Sequence, residues 1–71
     1  MKVTVFYERK NKRLNERKKL RKTIDFPDKD WLWVDDFKAI HDIVKKMCCL
    51  SDDALVIRKI KVGQDEYMGC W

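Results

Sequence analysis

Glycine and proline are scarce in this chain of 71 residues, which holds two Gly and one Pro. Module-separating linkers are rich in such residues, so the chain reads as a single domain over residues 1-71. Long hydrophobic runs are also missing: nothing approaches the roughly eighteen apolar residues a membrane-spanning helix needs, so no membrane association is expected. The apolar stretch within the first ten residues is too short for a signal peptide, and the expected location is cytoplasmic.

Cysteine is limited to Cys48, Cys49 and Cys70. An odd count without an export signal argues against a disulfide framework, and reduced thiols are expected. No Cys-x-x-Cys pair is present, and His41 and Cys48 stand two helical turns apart, about 10 Å along an axis, too far to share one zinc comfortably. No metal or cofactor is therefore expected. A Gly-rich phosphate loop, a His-Glu-x-x-His helix and a nucleophile elbow are all lacking. The acid pairs Asp35-Asp36 and Asp52-Asp53 are accounted for as helix caps and turns. Thiols near a helix C-terminus meet the end of the dipole that disfavours a thiolate. The expectation is a protein that is not an enzyme.

Charge is what the chain has in abundance, at 41% of residues. Glu8 to Lys22 holds nine Lys or Arg against two Glu and carries +7, while the whole chain carries +5. The remaining residues sum to −2, so the positive field is concentrated on one segment. Such a field attracts polyanions and acidic surfaces. The segment contains no aromatic side chain; Phe6 and Tyr7 precede it and Phe26 follows it. That lowers base stacking as a binding mode and leaves contact with phosphates.

Hydrophobic spacing organises the rest. Lys2 to Arg9 reads as a strand, with Val3, Val5 and Tyr7 on one face and Thr4 and Phe6 on the other. Leu20 to Phe26 reads as a second strand, with Leu20, Ile24 and Phe26 sharing a face. A helix over residues 10-22 is the competing reading, but its apolar residues Leu14 and Leu20 make no stripe. The preferred reading is an antiparallel hairpin whose long basic tip covers about residues 9-22. Pro27 ends the second strand. Trp33, Phe37, Ile40, Val44 and Met47 then recur at intervals of four and three, one apolar face of a helix. Asp35 is the expected N-cap, with Asp30 as the alternative about a turn earlier. Ala54 to Val62 is a β-branched strand with imperfect alternation, Gly63-Gln64-Asp65 a turn, and Glu66 to Trp71 a short closing strand. The order β-β-α-β-β implies an α+β fold, one helix packed on a mostly antiparallel sheet.

The leading functional expectation is nucleic-acid binding through Arg9, Lys10, Lys12, Arg13, Arg17, Lys18, Lys19 and Arg21, chiefly at phosphates. Arg9, Arg13, Arg17 and Arg21 recur every four residues and would share one face if the segment became helical on a partner. The alternative is a protein-binding module, such as a small phage-type or mobile-element inhibitor or an accessory subunit of a nucleic-acid-processing enzyme or complex. Trp31 or Trp71 would anchor it, because Trp31-Leu32-Trp33-Val34 is too dense for one helix face. A homodimer through the C-terminal strand is the third expectation. The charged segment as a purely solubilising surface is the bland account beside all three.

Overall fold

A computed structural model describes residues 1–11, 13–50 and 54–69. Five elements follow in chain order: β1 (Lys2–Asn11), β2 (Glu16–Asp25), α1 (Val34–Cys48), β3 (Leu55–Val62) and β4 (Asp65–Met68). The strands form one antiparallel sheet in the order β2-β1-β3-β4. The fold is thus a small α+β domain with four strands and one helix among the described residues.

The β1–β2 ladder is longer than local composition predicts. Its register runs from Lys2↔Asp25 to Asn11↔Glu16, ten pairs, although strands ending at Arg9 and starting at Leu20 were expected. Asn15 adopts φ 51°, a left-handed conformation that Asn tolerates better than most residues, and the Asn11 side-chain oxygen accepts the Arg13 N–H at 3.2 Å. These turn contacts set the register from the far end, where no apolar alternation exists to be read. Residues 9–22, read from sequence as a long basic tip, are largely strand within the sheet, and β3 flanks β1 as far as Arg9↔Leu55. At about 3.4 Å per residue the long ladder accounts for a molecule measuring 40 × 20 × 18 Å.

The imperfect alternation of β3 is a bulge. Phe6 pairs with Lys59 but Tyr7 pairs with Ile57, leaving Arg58 as the extra residue. Leu55, Ile57 and Ile60 therefore all reach the core despite spacings of two and then three. The closing strand β4 covers Asp65–Met68, and residues 70 and 71 of the expected Glu66 to Trp71 stretch lie outside the described residues. Val62↔Asp65 closes a two-residue turn with Gly63 at φ 59°. Glycine at the first central position is what a type II′ hairpin turn requires.

The core lies between α1 and one sheet face: Val3, Val5, Ile40, Val44, Ile57 and Ile60 are fully buried, joined by Tyr7, Ile24, Phe26, Leu32 and Leu55. The helix stripe differs at both ends from the expected one. Trp33 is the N-cap, with extended backbone (φ −106°, ψ 173°), so it leaves the helical wheel and is 67% exposed. Met47 is likewise exposed, and Cys48 turns inward instead, its Sγ 3.4 Å from the Tyr7 hydroxyl. Neither Asp35 nor Asp30 caps the helix. Asp36, in the first turn, reaches back to accept the Trp33 N–H at 2.8 Å, satisfying a backbone donor at the helix start. At the other end Cys49 sits at φ 53°, with Cys49 N–H bonded to the Lys46 carbonyl and Leu50 N–H to that of Lys45. That is the Schellman pattern, here without glycine.

Candidate functional site

Because residues paired across a strand ladder share a face, the register sorts every basic residue of the sheet. Opposite α1, one face carries the rung Arg21–Phe6–Lys59–Met68 across all four strands. Towards the turn follow Lys19–Glu8–Val56 and Arg17–Lys10; on the other side lies Thr23–Thr4–Lys61–Glu66. No helix or strand among the described residues covers this open face. A shallow cleft of about 550 Å³ runs over it, lined in part by Phe6, Glu8, Lys19, Arg21 and Arg58.

The electrostatics of the face are those of a surface short of anions. Glu8 is buried and bound to Arg58 (Nη2–Oε2 3.3 Å), and Lys59 meets Glu66 at 3.6 Å. Lys2 pairs with Asp25 at 2.6 Å and holds that carboxyl below the usual range. Lys10, Arg17, Lys19, Arg21 and Lys61 have no carboxylate partner among the described residues. Two rungs place like charges directly opposite, Arg9↔Lys18 and Lys10↔Arg17, a destabilising arrangement in an isolated ladder. The Phe6 ring lies at the centre of this field, with the Lys59 ammonium 4.6 Å from its centroid.

The expected binding residues are thus divided. Lys10, Arg17, Lys19 and Arg21 share the open face, Arg9 and Lys18 point to the helix side beyond the helix, and Arg13 lies in the turn. Lys12 and Trp71 fall outside the described residues, as does Cys70. Of the four-residue recurrence Arg9, Arg13, Arg17 and Arg21, only Arg17 and Arg21 share a face in the strand, because the register turns Arg9 to the opposite side and Arg13 lies in the turn. Sequence reasoning missed Phe6, Arg58, Lys59 and Lys61. Alternation around the buried positions of β1 and β3 carried a signal for Phe6 and Lys59, but the bulge at Arg58 obscured it.

On the helix side, Trp31 is 58% exposed and meets Tyr67 edge-on at 5.6 Å, while Phe37 meets the same ring at 5.5 Å. Leu32 is buried and Trp31 is not, and both precede the helix, so the crowding expected of this run on one helix face does not arise. Tyr7, on the core side of the sheet, has its phenol pushed up to about 12, first by its bond with Cys48 and then by burial. It remains a neutral structural group at ordinary pH. No group of three or more potential metal ligands and no helix long and apolar enough to cross a membrane occurs among the described residues. No protein-family model, curated protein or solved structure matches this chain. The functional reading therefore rests on geometry and charge.

Proposed function

We propose that this chain is a non-enzymatic nucleic-acid-binding protein that holds phosphates along its basic β1–β2 arm. The observation that carries the reading is the row Arg17, Lys19 and Arg21 with Lys10 beside it, four cations on one face without carboxylate partners among the described residues. Such a row repels itself until an anion lies between its members. Phosphates meet that need and release condensed counterions as they bind. Arg offers bidentate geometry for phosphate oxygens, and backbone contacts of this kind carry little sequence information.

A second reading has its own observation. Trp31, Trp33 and Val34 are three exposed large hydrophobics within four residues, on the side of the molecule that carries the helix. Exposed aromatics of this kind anchor protein partners, as an inhibitor or accessory subunit would require.

Fluorescence anisotropy of labelled nucleic acids at low and near-physiological salt tests the first reading. Neutralising about four phosphates of a single strand, one per cation, gives a slope near about −2.8 in log affinity against log salt. Binding that ignores salt would refute it, and absence of binding at low salt would leave the tryptophan surface as the functional one.

A further inference from the structure

We propose that the open sheet face takes single-stranded nucleic acid, with one base stacked on Phe6 and the flanking phosphates held by Arg17, Lys19, Arg21 and Lys59. This rests on the phosphate-binding reading above and adds the form of the ligand and a subsite for its base. Phe6 belongs to the strand preceding the basic segment, yet the register sets it directly opposite Arg21 on one side and Lys59 on the other. An aromatic in the middle of an uncovered antiparallel sheet, bordered by cations in its own rung, has the two parts a single strand needs. The ring offers a π-face to any base, and the cations track the backbone.

Geometry also disfavours a duplex on this face. Four strands spaced about 4.8 Å apart span about 14 Å before side chains are added, more than the roughly 12 Å of a major groove. A groove admits at most a two-stranded ribbon, and only the pairs Lys10↔Arg17 and Asn11↔Glu16 extend beyond β3. A flat basic face suits bases splayed from a flexible chain. Arg17, Lys19 and Arg21 stand along the β2 edge at steps of about 7 Å, and Lys19 and Arg21 line the same cleft as Phe6. The acid within that cleft is no obstacle, since Arg58 binds the Glu8 carboxylate. Lys59 covers the ring in the free protein while 3.6 Å from Glu66, so a base entering the ring's face requires its ammonium to swing from the ring to a flanking phosphate.

The test compares labelled oligothymidylate, a chain of abasic residues of equal length and a duplex, each titrated with wild type, Phe6→Leu and Phe6→Trp at low salt. Stacking on Phe6 predicts that wild type binds oligothymidylate about tenfold or more tighter than the abasic chain. Phe6→Leu should erase that difference with abasic-chain affinity unchanged, and Phe6→Trp should keep it. Equal wild-type affinity for the abasic chain and oligothymidylate would overturn stacking and leave phosphate binding standing. The comparison uses unaltered protein, so it holds even if Phe6→Leu folds poorly. Tighter binding of the duplex would overturn the single-strand assignment. Failure of every chain to bind would remove the phosphate-binding reading, and this inference with it.

Discussion

Asp36 does two jobs at one helix end. Its Oδ2 accepts the Trp33 N–H at 2.8 Å and its Oδ1 meets the Lys29 ammonium at 2.5 Å. The Lys29 bond, and after it the Trp33 N–H, holds the carboxyl below the ordinary carboxylate range. A depressed folded value means that the unfolded chain binds the proton first. The stabilisation is therefore complete above about pH 4 and is lost as pH falls through the folded value. Acid unfolding followed by circular dichroism should show this in wild type, with a shallower acid slope and a lower neutral-pH melting temperature in Asp36→Asn. Identical acid slopes in the two proteins would deny Asp36 that role. A pattern of residue types pointed to Asp35 as the cap; the choice of Asp36 depends on where Trp33 leaves extended backbone, which a run of two adjacent acids does not reveal.

Among the elements, α1 and β3 were the most legible, and the β1–β2 ladder the least. Ile40 and Val44 announce a helix face by spacing, and β-branched content announces β3. The ladder beyond Tyr7↔Leu20 has no apolar partners to announce it; its register depends on the turn at Asn15 and on backbone pairing. For the same reason the meeting of Phe6 with Arg21 was invisible, since it needs a register and not a composition. The ladder's far end also has an electrostatic consequence. With Arg9↔Lys18 and Lys10↔Arg17 opposed, its last rungs should open more readily than those near Val3↔Ile24. Screening weakens such repulsion, and a bound polyanion removes it. Amide hydrogen exchange should therefore slow at residues 9–11 and 16–18 as salt is added without ligand, while core amides at Val3 and Val5 change little. Exchange at the far end that is unaffected by salt would show that the like-charge rungs carry no net strain.

At the scale of the whole molecule, two surfaces compete for the functional role, and they lie on opposite sides of the sheet. The open face is cationic around Phe6, and the helix side exposes Trp31, Trp33 and Val34. Their separation lets each be altered without touching the other. Replacing Arg17, Lys19 and Arg21 by Gln removes three of the chain's 17 basic residues, all of them exposed strand positions with no carboxylate partner among the described residues. The fold should survive, since surface changes of this kind cost within about 0.5 kcal/mol and here relieve repulsion. If these side chains hold phosphates, the triple variant loses single-strand affinity at every sequence tested and its salt slope flattens by about 2. Trp31→Ala should leave both quantities unchanged, because its ring meets Tyr67 on the helix side of the sheet. The converse ranking, in which the triple variant binds a captured protein partner more slowly but as tightly while Trp31→Ala releases it, would make the cations a steering field and the tryptophan the anchor. Measuring both variants against the same ligand assigns the function to one face, because neither substitution alters the residues that form the other.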